Sequence, residues 1–158
     1  MTILLFLIFL AACVAAGSTG ALFAPGEWYR NLRKPSWTPP SWLFSVMWTA
    51  IYLLMSWAAA RVAIAEDGGL ALALWALQIT LNTLWTPVFF GLHRMRAGLW
   101  IILFLLATVA ATTIAFLQID LLSGILMIPY LIWVSVAACL NYAILRLNPD
   151  ETTSGRGW

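Results

Sequence analysis

The chain has 158 residues, of which 63% are hydrophobic and 9% charged, and its mean hydropathy is +0.94. Soluble domains carry about 25% charged residues, so this apolar excess excludes a water-soluble fold and makes lipid the solvent. A formal net charge of +2 with no long basic stripe argues for no nucleic-acid partner.

Five apolar runs are long enough to cross a bilayer. They predict an all-α integral membrane protein, a single domain folded as a five-transmembrane-helix bundle over residues 2–23, 42–65, 69–91, 97–118 and 121–146. The first run contains Leu10-Ala11-Ala12-Cys13, which fits a lipoprotein cleavage box. No Lys or Arg precedes Arg30, however, and the run continues to Phe23, so a retained first helix is expected. Ala12, Ala16 and Gly20 repeat every four residues, and Gly17 and Ala21 do so one position along. Such rows let helix backbones approach closely, with a partner in the same chain or in a second subunit. Cys13 and Cys139 both lie in apolar runs; neither a disulfide nor a metal site is expected of them.

Residues 24–41 form the longest connection, and Pro25, Pro35, Pro39 and Pro40 rule out a continuous helix there. Residues 27–32 have room for one or two turns opened by Pro25. This segment combines Trp28, Tyr29, Trp37 and Trp42 with Arg30, Arg33 and Lys34. It reads either as a lid with apolar faces and cationic tips, suited to an amphipathic anion, or as a surface loop drawn to anionic headgroups.

The second run offers Trp48, Tyr52 and Met55 on one helical face. The third has no charged residue between Gly69 and Gly91, yet carries Trp75, Gln78, Asn82 and Trp85 at spacings of 3, 4 and 3, a single face. A glutamine and an asparagine at membrane depth are costly unless they face protein, ligand or water. Pro87 in the same run frees the carbonyl of Thr83, which the Thr83 and Thr86 hydroxyls can re-satisfy. The resulting kink is either an ordinary one or a device that widens the bundle beside Asn82. The fifth run presents Tyr130, Trp133, Ala137 and Asn141 on one face, with Ala137 small among large neighbours. Together Trp48, Gln78, Asn82 and Trp133 point to a pocket for a flat, mostly apolar ligand. The competing reading is that these aromatics, among ten tryptophans in all, pack a core or anchor the interface.

The stretch Leu140-Asn141-Tyr142-Ala143-Ile144-Leu145-Arg146 fits a weak sterol-contact consensus; Tyr142 and Arg146 read equally well as an interfacial anchor. Residues 148–158 read as a flexible polar tail. Across five spans, Arg30, Arg33, Lys34, Arg94, Arg96, Arg146 and Arg156 fall on one side, 7 of the 8 Lys and Arg residues. The positive-inside rule then places the N-terminus out and the C-terminus in the cytoplasm. No conventional catalytic set is visible: the one histidine, His93, sits in a short basic loop without a carboxylate partner, and no metal motif or nucleotide-binding loop is present.

Trp37-Thr38-Pro39-Pro40, Trp48-Thr49-Ala50-Ile51-Tyr52 and Asn82-Thr83-Leu84-Trp85-Thr86-Pro87-Val88-Phe89-Phe90-Gly91 closely resemble the tryptophan-rich sensory protein family, also called the TspO/MBR or translocator protein family. Pro129-Tyr130-Leu131-Ile132-Trp133 and the Leu140–Asn148 end match as well, so the resemblance covers nearly the whole chain. It implies a bacterial membrane protein of five helices, commonly a homodimer, that binds porphyrins such as protoporphyrin IX, haem and benzodiazepine-type ligands; eukaryotic relatives bind cholesterol. It implies a pocket lined by Trp48, Asn82 and Trp133 with the first loop closing over it, and at Ala137 a position where variation alters binding. In several bacterial members the two pocket tryptophans, here Trp48 and Trp133, are linked to light-dependent porphyrin degradation.

The resulting expectation is a membrane-embedded tetrapyrrole binder acting in sensing, transport or light-dependent degradation. Its binding residues would be Trp48, Tyr52, Gln78, Asn82, Trp85, Tyr130, Trp133 and Ala137, and its lid Trp28, Tyr29, Arg30, Arg33, Lys34 and Trp37. Porphyrin or haem is expected as ligand, with no obligatory cofactor and no metal. Membrane lipid and a second copy of the chain are the expected partners, and the bacterial inner membrane is favoured, with the outer membrane left open. The alternatives are a lipid or sterol-like carrier using Leu140, Tyr142 and Arg146, or a regulatory membrane scaffold.

Overall fold

In lipid, backbone amides and carbonyls find no partner but one another, so each apolar run closes into a helix. The structure, a computed structural model, describes residues 1–153. Its helices are α1 (Thr2–Leu22), α2 (Glu27–Asn31), α3 (Ser41–Val62), α4 (Gly69–Thr86), α5 (Met95–Ile119), α6 (Leu121–Leu147) and α7 (Pro149–Thr153), and no strand occurs among the described residues. Five segments are long and apolar enough to span a membrane: α1, α3, α4 with its extension to Gly91, α5 and α6. The protein is an all-α, five-span membrane bundle.

The breaks between helices have local causes. Pro40 holds extended backbone before α3. Asp120 caps α6, its carboxylate accepting the Ser123 amide at 2.9 Å. Across that tight hairpin, a Cβ on Gly124 would lie 2.7 Å from Leu117 Cα, so only glycine lets α5 and α6 meet this closely. Pro87 does not simply kink α4. The chain widens into a π-turn over Pro87–Gly91, closed by the Leu92 amide donating to the Pro87 carbonyl at 2.8 Å. The Thr83 hydroxyl bonds back to the Ile79 carbonyl at 2.7 Å.

The helices close a ring. α1 packs on α3 and α4, α3 on α6, α6 on α5, and α5 on α4. Short connections predict that sequential helices lie side by side, and α4–α5 and α5–α6 do. Neighbours in sequence, α3 and α4 touch little, because α1 stands between them. The connection over residues 63–68, a run of hydrogen-bonded turns, joins their ends. The face α1 turns inward is Cys13, Ala16 and Gly17, with a Cβ on Gly17 only 2.8 Å from the Tyr52 ring. Ala12 and Gly20 face outward, so the row Ala12, Ala16, Gly20 is not the packing face.

On α4 the buried side is Ala71, Trp75, Gln78 and Asn82, while Leu70, Leu77 and Leu84 are exposed on the other, where lipid covers them. The polar tail expected from Asn148 onward is already structured at its start. Asn148 is buried and α7 follows it, because its side chain and that of Glu151 bind the first loop. The remainder of that expected tail, 154–158, lies outside the described residues.

Candidate functional site

The polar stripe of α4 points into the ring and is satisfied there by tyrosines. Tyr52 of α3 donates its hydroxyl to Asn82 Oδ1 at 3.1 Å. Asn82 Nδ2 donates to the Tyr130 hydroxyl of α6 at 2.9 Å, and that hydroxyl donates to Gln78 Oε1 at 2.8 Å. Gln78 Nε2 ends the chain 3.9 Å from the Met55 sulfur. A buried amide or phenol without a partner is costly, and this relay satisfies four side chains from three helices. Gln78 is fully buried and Tyr130 nearly so, whereas Asn82 keeps 6% of its surface. Gln78, expected among the binding residues, is engaged by Tyr130 and fully buried, whereas Asn82 is the less enclosed of the two amides.

Aromatic walls flank this relay. The Trp48 ring lies 5.5 Å from Tyr52 and 6.0 Å from Tyr130. Trp133 meets Phe44 edge-on at 5.1 Å, with Ala137 one turn further along α6. Two indole N–H groups in the ring, on Trp75 and Trp133, are buried without any acceptor. Such orphans are rare in folded proteins and call for an explanation. Trp85 leaves the stripe: its Nε1 donates to Asn141 Oδ1 at 3.2 Å and its ring stacks on Phe89 at 5.4 Å. Asn141 in turn donates to the Met95 carbonyl at 3.2 Å, tying α4, α5 and α6 together.

The first loop covers this end of the ring. On α2, Trp28 stacks on His93 at 4.3 Å and donates its Nε1 to Glu151 at 3.2 Å. His93 adopts φ 56°, a left-handed conformation in which histidine is enriched, and so presents its ring to Trp28. Tyr29 meets Phe90 edge-on at 5.1 Å, and burial pushes its phenol above the ordinary value. Lys34 folds back, donating to the Arg30 and Leu32 carbonyls at 3.1 Å each and sitting 4.7 Å from the Tyr29 ring centroid. It therefore closes the end of α2 rather than extending a free cation. Arg30 pairs loosely with Glu27 at 3.9 Å on the exposed surface, Arg33 is exposed, and half of Trp37 faces outward.

Beneath the lid lies a cavity of about 20 Å³, lined by Tyr29, Phe44, Trp85, Phe89, Phe90, Ala137, Leu140, Asn141 and Ile144. One water needs about 10–15 Å³ and a small-molecule site about 300–1,000 Å³, so the lid is shut. Of the sterol-type residues, Tyr142 and Arg146 meet on the outer surface and Leu140 stands apart from them. Leu140 lines this cavity, while Tyr142 is half exposed and accepts from Arg146 at 3.2 Å on the outer surface. Among the described residues no cluster of His, Cys, Asp or Glu suits a metal ion. Sequence reasoning missed Asn148 and Glu151 as lid partners, and Phe44 and Phe89 as wall and floor.

A ring of spans around a buried amide–phenol relay, with the first loop packed over one end, defines a multi-pass integral membrane protein. Residues 9–147 match the TspO/MBR family, and the chain belongs to it. It is 52% identical over 155 residues to protein CrtK of Rhodobacter capsulatus, covering 96% of this chain and 97% of that one. It is 54% identical over 144 residues to a tryptophan-rich sensory protein of Cereibacter sphaeroides, covering 91% of each. The human translocator protein is 36% identical over 137 residues, covering 82% of this chain and 81% of its own.

Proposed function

We propose that the protein binds a flat tetrapyrrole, protoporphyrin IX or haem, inside the helix ring, and serves in tetrapyrrole sensing, transport or light-dependent degradation. The observation that carries this reading is Trp133, whose buried indole N–H has no acceptor although it stands on the wall shared with Phe44 and the Trp48–Tyr130 cluster. A ligand acceptor meeting that N–H, with Asn82 at the edge of the relay, fixes orientation; Trp48 and Phe44 supply stacking area. Arg30 and Arg33, the lid cations not folded back onto the backbone, are the groups for ligand carboxylates. In this reading the loop lifts to admit the ligand, since the space beneath Tyr29 is only about 20 Å³. The names of the relatives, sensory protein and translocator, agree with the sensing and transport branches. In the degradation branch an excited porphyrin or singlet oxygen oxidises a neighbouring indole, and no acid–base residue is needed.

The same reading makes the protein a homodimer of the bacterial inner membrane with the lid end in the cytoplasm. The cations Arg30, Arg33, Lys34, Arg94, Arg96 and Arg146 gather at that end, and Arg61 alone lies at the other among the described residues.

The test is a dark titration of protoporphyrin IX in detergent, followed by porphyrin absorbance and tryptophan quenching, on wild type, Asn82→Ala, Trp48→Phe and Trp133→Phe. Saturable binding is expected in wild type. Losing a hydrogen bond of about 1 kcal/mol weakens it about fivefold, and all three variants should bind at least that much more weakly. Unsaturable quenching that is the same in all four proteins would mean the porphyrin merely dissolves in the micelle, and the reading would fall.

A further inference from the structure

We propose that Asn148 is the latch of the lid: one side chain grips the loop backbone and sets how often the site opens. After α2 the chain turns extended at Leu32, leaving the main chain of Arg33 without helical partners. Asn148 takes both of its polar groups. Its Oδ1 accepts the Arg33 amide at 2.9 Å, and its Nδ2 donates to the Arg33 carbonyl at 2.9 Å. The same Nδ2 donates to the Ile144 carbonyl at 2.8 Å, at the end of α6. The clamp thus joins the loop to the last turn of the helix that carries Trp133 and Ala137. Only an asparagine at this position offers one acceptor and two donors on a side chain this short.

The latch lies directly behind the parts of the lid that fill the site. Leu32, adjacent to the gripped residue, is buried, and Tyr29 lines the small cavity. Lifting them breaks both bonds to Arg33. A second tie, Trp28 to Glu151, holds a side chain rather than the backbone, and the Trp28–His93 stack can slide without leaving an unpaired polar group. Asn148 is therefore the tie that governs opening, and the segment after α6 controls access to a site formed by the helices before it. The binding consequence rests on the tetrapyrrole reading; the opening does not.

The experiment uses the full chain in detergent and measures hydrogen exchange of peptides covering the first loop and α6, without ligand. Loss of two hydrogen bonds of ordinary strength raises opening by roughly five- to a hundredfold. Asn148→Ala should speed exchange of the loop peptide by that factor while α6 keeps its protection. Asn148→Ser, whose hydroxyl can still donate to the Ile144 carbonyl one turn back but is too short for the Arg33 backbone, should open the loop as far as Asn148→Ala does. Trp28→Phe should change loop exchange least. Unchanged loop protection in both Asn148 variants would overturn the latch, as would Trp28→Phe opening the loop as far as Asn148→Ala. If Asn148→Ala unfolds α6, Asn148→Ser, which keeps the tie to Ile144, decides by the same comparison. In the dark, association and dissociation of protoporphyrin IX should both quicken by the factor seen in exchange. If wild type binds no porphyrin while the exchange ranking holds, the latch stands and the tetrapyrrole reading falls.

Discussion

Tyr130 serves two partners with one hydroxyl, accepting from Asn82 and donating to Gln78. Tyr130→Phe therefore strands a fully buried amide oxygen on Gln78 and a hydrogen on Asn82, at a cost of about 1–3 kcal/mol. Tyr52→Phe removes one longer bond, closer to the roughly 0.6 kcal/mol typical of interhelical bonds in membranes. Thermal unfolding in one detergent should show the larger drop in Tm for Tyr130→Phe; equal drops would mean that Gln78 finds another partner. The spacing of Gln78 and Asn82 was enough to place both on the inner face of their helix. It held no information on who satisfies them, because the tyrosines come from other helices. Trp85 shares the spacing, yet it donates to Asn141 of α6 and stacks on Phe89 of the π-turn beside it. Asn148 was illegible for a different reason: an asparagine after an apolar run looks like a helix stop, and its partner lies 115 residues earlier.

Between α5 and α6 a single carboxylate does the work of a connection. Asp120 caps α6 through Ser123 and receives the Arg61 guanidinium of α3 as a fork, with Nε at 2.8 Å and Nη2 at 2.9 Å. The Arg61 fork first, and Ser123 second, hold its carboxyl well below the usual carboxylate range. The folded value is thus depressed below an unfolded value of about 3.9. The stabilisation is complete above about pH 4 and is lost as pH falls toward the folded value. With the two side chains 34% and 28% exposed, solvent screening limits it to about 1 kcal/mol or less. Tm curves of wild type and Asp120→Asn should be separated at pH 6 and draw together toward pH 3; curves that stay parallel would show that the pair contributes nothing. Helix ends in general were legible where a residue forces them, as Pro40 and Asp120 do. The expected end of α3 ran to residue 65 because Ala63, Ile64 and Ala65 suit a helix. The chain instead turns through Ala65-to-Val62 and Gly68-to-Ala65 backbone bonds, where a Cβ on Gly68 would meet the Val62 carbonyl at 2.5 Å.

The number of spans was written in hydropathy, but the order of helices around the ring was not, since no periodicity says which apolar face meets which. The proposed orientation belongs to the same scale and is tested there. In a chain with Cys13 and Cys139 replaced by serine, a membrane-impermeant maleimide on intact spheroplasts should label Asp67→Cys and leave Ser36→Cys untouched until lysis. The opposite pattern would turn the lid end outward and overturn the assignment. The place of α1 between α3 and α4 carries a further consequence for biogenesis. Helix α1, made before α3 and α4, closes a seam whose two edges follow it in the chain. α1 can dock on α3, Gly17 against Tyr52, as soon as that span is inserted, and the seam then waits for α4 to cover its other edge. The ring is therefore closed by contacts between segments far apart in the chain, and its interior is sealed only when α1, α3 and α4 are all in place.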